Sequence, residues 1–211
     1  MRLALLWLAA AAISGFTLRR YLGPLDEGIL MQAATRMADG QWPWRDFGWS
    51  YGPGQPLFVL AAGKLFGPSL LWWRLLRVAA DATCAVLVYV LVRDRRPRWA
   101  WAAWLAAALT AAQPTSANPT APALAFSLAA VLAATRGRPG LAGLMAAAAA
   151  FWRPDVGAIA ALAAAATLWA AGRNREVVGD GDEARDGAAA RGGDKAHGGT
   201  ATWGGDEARG S

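Results

Sequence analysis

The sequence predicts an all-α fold: a polytopic bundle of transmembrane helices with an amphipathic helix in its first outer loop and a disordered carboxyl-terminal tail. Three observations carry that expectation. First, 55% of the residues are hydrophobic, and Ala, Leu, Val and Trp fill repeated runs through residue 172 that are too many for one buried core. Second, residues 1–172 carry 15 Lys/Arg against 7 Asp/Glu, whereas residues 173–211 carry 6 against 8. The basic residues of the first part sit in short clusters between apolar runs, as the positive-inside bias places them, which argues against nucleic acid as a partner. Third, tryptophan gathers at the ends of those runs: Trp72 and Trp73, Trp99 and Trp101, Trp152 and Trp169. An indole, with an apolar body and one N–H donor, prefers the headgroup boundary of a membrane.

A spanning helix needs about 20 predominantly apolar residues, and six stretches are candidates: 3 to 18, 70 to 92, 99 to 113, 120 to 135, 140 to 152 and 156 to 172. With Arg2 cytoplasmic, alternation places Arg93, Arg95, Arg96 and Arg98 inside, then Arg136 and Arg138, then Arg173 and Arg175. Residues 19–69, 114–119 and 153–155 fall on the outer face, and Arg19-Arg20 is the one basic cluster out of place. The first run also fits a cleavable signal peptide, with Ala12-Ile13-Ser14 as a small-x-small site. Between the fifth and sixth runs, Pro154 removes a backbone donor and Asp155 can cap the next helix, so a reversal or sharp break is expected. Beyond Gly172 the composition turns to Gly, Ala, Arg and Asp, which cannot bury enough apolar surface to offset the entropy of ordering. Residues 1–172 are thus expected as a membrane module and 173–211 as a disordered tail. Cys84 lies in an apolar run and His197 in the tail, and each is the sole residue of its type. Neither a disulfide framework nor a zinc site can be assembled from them.

The outer loop holds the chemistry-bearing residues. Residues 26–39 are expected as a short helix lying on the membrane, with Asp26 as N-cap, Ile29, Leu30, Ala33 and Met37 on one face and Gly40 as the stop. Asp26 is then a cap and Glu27 a first-turn dipole partner, roles compatible with a general base, because a helix N-terminus stabilises and orients an ionised carboxylate. Arg74, Arg77 and Arg153 are candidates for holding a phosphate, since the planar guanidinium gives paired, charge-assisted hydrogen bonds. Against that, Arg74 and Arg77 can snorkel to headgroups, and Arg77 can pair with Asp81 one turn on. Asp46 and Tyr51 are candidates for binding sugar or acceptor hydroxyls, or else members of local turns beside Gly52-Pro53-Gly54. Arg153 and Asp155 can form an ion pair beside the site or close a turn.

The ordered set of an apolar first span, Asp26-Glu27, an amphipathic helix ending in A-D-G-Q, the aromatic W-P-W-R-D-F, then Y-G-P-G-Q-P-L and W-W-R-L-L-R resembles the polytopic GT-C glycosyltransferases. These include protein O-mannosyltransferases and lipid A aminoarabinose transferases. The resemblance covers residues 1–172 and the amino-terminal part of that family's membrane module. It implies multi-pass residence in the inner (plasma) membrane and transfer of a sugar from a polyprenyl-phosphate donor to a hydroxyl of a lipid, glycan or protein acceptor at the outer face. It further implies an acidic base at Asp26 or Glu27. No cofactor is expected and no divalent metal is indicated. Because the family's module continues through further spans, the chain is expected to be either a truncated transferase or one that a partner completes. A non-catalytic component that binds polyprenyl lipid or scaffolds a partner is the alternative. A small-solute transporter fits less well, because the charged candidates gather at one face instead of lining a midplane site.

Overall fold

The computed structural model describes residues 1–19, 24–112 and 117–193, with side chains for 1–19, 26–112 and 117–173. The described residues form helices α1 (Arg2–Gly15), α2 (Pro24–Ala38), α3 (Gly54–Phe66), α4 (Leu71–Arg93), α5 (Ala100–Ala111), α6 (Thr120–Thr135), α7 (Pro139–Trp152) and α8 (Pro154–Gly193), with a single 3₁₀ turn at Pro97–Trp99. No β-strand occurs among them; Pro43 and Phe47 form an isolated bridge. The chain divides into two compact units, Met1–Leu168 and Trp169–Ser211.

Two helices, Leu71–Arg93 and Pro154–Arg173, are long and apolar enough to cross a membrane. The other four stretches expected as spans form shorter helices. α1, α5, α6 and α7 have 14, 12, 16 and 14 residues, about 18–24 Å of helix against the roughly 30 Å of a hydrocarbon core. The first ends at Gly15, where turns follow that carry Thr17 and Leu18 to α4.

In the first unit, α1 runs antiparallel to α4. Trp7 Nε1 donates to Thr83 Oγ1 at 3.1 Å, Ser14 Oγ to Asp81 Oδ2 at 2.6 Å, and Arg77 Nη2 to Thr17 Oγ1 at 2.9 Å. As the α1 number rises, its α4 partner's number falls. α6, α7 and the start of α8 pack as consecutive antiparallel helices through alanine: Ala133 and Ala134 meet Ala142 and Ala164, while Ala130 meets Ala146 and Ala160. Small side chains let helix backbones approach closely, and dispersion across that short gap replaces the burial that larger residues would supply.

Gly157 in α8 lies tight against Ala150 in α7, where a Cβ on Gly157 would overlap the Ala150 backbone. Gly157→Val is therefore expected to prise the α7–α8 hairpin apart, with a cost of about 1–3 kcal/mol by overpacking. Thermal unfolding in detergent checks this, and an unchanged transition temperature would contradict the tight contact.

Helix ends follow local chemistry. α2 closes where Gly40 takes φ 82°, Gly40 N–H donating to Met37 O and Gln41 N–H to Arg36 O. Gly137 (φ 67°) does the same for α6, with Gly137 N–H on Ala134 O and Arg138 N–H on Ala133 O. These are paired C-terminal hydrogen bonds around a left-handed glycine. α7 opens on Pro139 and α8 on Pro154, where a missing N–H costs nothing in a first helical turn.

Three expectations need correction. Asp26 is not the N-cap of α2, because the helix already begins at Pro24 and Asp26 and Glu27 both fall in its first turn. The segment 19–69, expected as an outer loop, holds a second helix, α3, which the Gly52-Pro53-Gly54 and Pro56 signals concealed; proline is compatible with a first turn, where N–H groups have no intrahelical partner. The tail expected to be disordered from 173 is helical through Gly193. Ala, Arg and Glu are good helix formers, and extending an existing helix avoids the cost of nucleation. In the second unit, taken by itself, Arg173 lies over the Trp169 ring at 4.9 Å. The part of the expected tail at 194–211 lies outside the described residues.

Candidate functional site

α2 shows why two adjacent carboxylates end in different surroundings. Leu30, Ala33, Ala34 and Met37 are its buried face, and Glu27, one turn before Leu30, shares it. Glu27 is 3% exposed. Asp26 and Ile29 lie round the helix from that stripe and are exposed. Ile29, expected on the buried face, instead joins Asp26 in lining a cavity.

Glu27 is locked to α4. Arg74 Nη2 donates to Glu27 Oε2 at 2.8 Å and Nε to Oε1 at 3.0 Å, while Nη1 reaches the Leu18 carbonyl at 2.7 Å. Both side chains are buried. This forked geometry satisfies both carboxylate oxygens. A turn further along α4, Arg77 Nη1 meets Asp81 Oδ2 at 3.3 Å, and Asp81 also accepts from Ser14. Ser14 O accepts in turn from Thr17 Oγ1 at 2.8 Å. These two buried ion pairs tie α1 and α2 to α4. Their placement departs from the phosphate-binding role expected for Arg74, whose fork is taken up by Glu27.

Two cavities flank this framework. A chamber of about 310 Å³ is lined by Asp26, Ile29, Trp49, Ser50, Tyr51 and Asn118, among others. A groove of about 470 Å³ runs between α4, α5 and α6, with Arg77, Asp81, Thr110, Asn118 and Thr120 at polar positions and Cys84, Val88, Leu124 and Leu128 along its apolar length. Asn118 is the one described residue that lines both.

Arg153 braces that shared wall. Its Nη1 donates to Asn118 Oδ1 and to Thr120 Oγ1, each at 3.0 Å. Nε and Nη2 hold the two oxygens of Asp155 at 3.1 and 2.6 Å, and the guanidinium lies 5.6 Å from the Tyr51 ring centre. Bonding to Asp155 raises the Arg153 pKa above its ordinary value, so the side chain is a fixed cation. Its closeness to Tyr51 depends on Gly52, whose N–H donates to Trp152 O at 3.0 Å and whose missing Cβ leaves room for the Phe151 carbonyl.

Comparison with protein-family models, with curated proteins and with solved structures gives no match. The residues themselves are therefore what bears on function.

Of the sequence candidates, the structure brings Asp26 and Tyr51 into the chamber and Arg77 into the groove, with Arg153 and Asp155 at the wall between them. Asp46 goes elsewhere. It accepts from Trp42 N–H at 2.7 Å and pairs with Arg45 at 2.8 Å, closing the turn after α2. The hydrogen bond from Arg45, then that from Trp42, hold its pKa below the usual carboxylate range. A depressed carboxylate pKa stabilises the turn above pH about 4, and that contribution is lost as pH falls through the folded value. Asn118, Trp49 and Gln55 carried no sequence signal beyond lying in segments expected at the outer face, and Thr120 none beyond opening the expected span 120 to 135. The one available hint was a polar pair, Asn118 and Thr120, flanking Pro119 in a short connection between apolar runs.

Proposed function

We propose that this chain is a polytopic inner-membrane protein whose outer-face site transfers a sugar from a polyprenyl-phosphate donor to an acceptor hydroxyl. One observation carries the reading: a polar chamber holding an exposed carboxylate adjoins a mostly apolar groove with the Arg77–Asp81 ion pair in its lining, and Asn118 is their common wall. An amphiphile with a charged head and an apolar tail fits such a pair better than a wholly polar solute does. The arginines of the α4–α5 and α6–α7 connections lie at the opposite end of the helices from the site, which favours an outward-facing site under the positive-inside bias.

In this reading Asp26 takes the acceptor hydroxyl's proton while that oxygen bonds to the sugar's anomeric carbon. The bond from that carbon to the lipid phosphate breaks, and the phosphate leaves with the electron pair. A carboxylate positioned for proton transfer contributes about 10²–10⁴-fold. Arg77, paired with Asp81 in the groove, and Arg153, paired with Asp155 at its wall, present the guanidinium ends of those pairs where the leaving phosphate gains charge. Glu27 orients α2 through Arg74 and takes no proton. Shorter helices such as α5 and α7 are accommodated by local thinning of the bilayer or by packing against neighbours.

The test is transfer from radiolabelled polyprenyl-phosphate sugars in membranes expressing the chain, followed into lipid, glycan and protein fractions. Label in any fraction above membranes lacking the chain supports the reading. No transfer from a broad donor panel, with the chain folded, overturns it. The mutual locking of Glu27 and Arg74 favours a second reading, a non-catalytic polyprenyl-lipid binder. In that case polyprenyl phosphate slows maleimide labelling of Cys84 in the groove although no sugar moves.

A further inference from the structure

Gln55 lies in the first turn of α3 and is fully buried, an unusual place for an amide that neither catalysis nor the ion pairs use. Its Nε2 donates to the backbone carbonyl of Ala117, 62 residues along the chain, and its Oε1 has no partner among the described residues. Burying a primary amide with half its capacity unmet costs free energy, so the bond it does make is expected to have a use.

That bond falls at a particular place. Ala117 lines the chamber and precedes Asn118, which lines both chamber and groove. Asn118 is held from its other side by Arg153, which also grips Thr120 at the start of α6. The connection into α6 is thus fastened by Gln55 on its backbone and by Arg153 on its side chains. Cys84 is the reporter on the far side of this wall, where its Sγ contacts the Ala121 carbonyl at 3.6 Å.

We infer that Gln55 is a positioning residue that sets the wall between the two cavities, so that the chamber with Asp26 and the apolar groove keep one relative geometry. Its consequence for sugar transfer rests on the function proposed above; the geometric statement stands apart from it. The amide acts through Ala117 and Asn118 and touches no substrate. Without its donor, the 117–120 connection loses its backbone tie to α3, and the groove beside Cys84 opens more often.

The experiment measures the rate of Cys84 alkylation by a small maleimide in nanodiscs, using the full chain. Cys84 is the sole cysteine, so no background thiol interferes. Gln55→Met keeps length and volume but removes the donor; it is expected to raise the rate by about tenfold, the scale of one lost hydrogen bond. Ala62→Gly, which removes a buried methyl group from the same helix outside the cluster that holds Ala117, lowers the melting temperature while leaving the Cys84 rate within about twofold. In a double-mutant cycle, Gln55→Met and Asn118→Ala are expected to be non-additive, since both act on one connection.

A Gln55→Met rate within twofold of the wild type, or an Ala62→Gly rate that rises equally, would overturn the inference. Should Gln55→Met not fold, the same cycle with Gln55→Glu and Asn118→Ala decides the matter, additivity counting against it. In the transfer assay a positioning role lowers kcat and leaves the KM for donor nearly unchanged. If no transfer occurs in the wild type while the alkylation pattern holds, the proposed reaction fails and the positioning role survives.

Discussion

Asp26→Asn is expected to lower sugar transfer by about 10²–10⁴-fold while leaving the fold intact, the range for removing a positioned proton acceptor. The substitution keeps size and hydrogen-bonding capacity but removes basicity. Structural cost should be small, because Asp26 is exposed at the first turn of α2 and makes no ion pair among the described residues. Loss of a favourable interaction with the helix N-terminus accounts for about 0.3–1 kcal/mol at most. Glu27→Gln gives the opposite pattern, a lowered unfolding temperature with the rate per folded molecule nearly kept, since Glu27 faces Arg74 and lines neither cavity described above. The two substitutions therefore separate the neighbouring carboxylates by what each does. Transfer retained in Asp26→Asn would remove the proposed base, and equal rate losses in both would mean that α2 as a whole, and not one carboxylate, sets the activity.

Much of the helical framework was legible because its signals are local. The α4 run is bounded by Leu70-Leu71 and an arginine cluster, and α6 and α7 are separated by Arg136-Gly137-Arg138-Pro139, where a left-handed glycine and a first-turn proline leave little choice of boundary. The pairing of Arg77 with Asp81 followed from one-turn spacing and is present at 3.3 Å. What escaped depends on contacts between distant residues. Asn118 becomes a site residue only because Arg153, 35 residues on, reaches it. Gln55 likewise has its partner 62 residues away. α3 was hidden for a different reason: Pro53 and Pro56 are turn formers in isolation, and only the buried faces of Val59 and Ala62 reveal the helix they open. The split between Asp26 and Glu27 could be drawn from the stripe Leu30, Ala34 and Met37 extended back one turn. Placing Ile29 on that stripe as well obscured it.

Arg74→Met alone is expected to cost about 3–5 kcal/mol, the largest stability loss of any single substitution considered, because it strands Glu27 in a buried site. Glu27 is 3% exposed and its two oxygens are held by Arg74 Nε and Nη2. Removing the guanidinium leaves either an unpaired carboxylate out of water or a protonated one lacking its designed partner, and also frees the Leu18 carbonyl that Arg74 Nη1 now satisfies. Glu27→Leu made in the same chain should recover most of the loss, since replacing both partners of a buried pair by apolar groups of similar volume is often neutral or stabilising. Denaturant titration of the single and double variants in mixed micelles measures both values. Recovery in the double variant would place the role of the pair in orienting α2, and with it Asp26 at the chamber, more than in net stability; its transfer rate would then show how far that orientation survives on packing alone. A double variant no more stable than Arg74→Met would mean that the Leu18 carbonyl, not the stranded carboxylate, dominates the cost, and the α1–α2 connection would be the element that Arg74 chiefly holds.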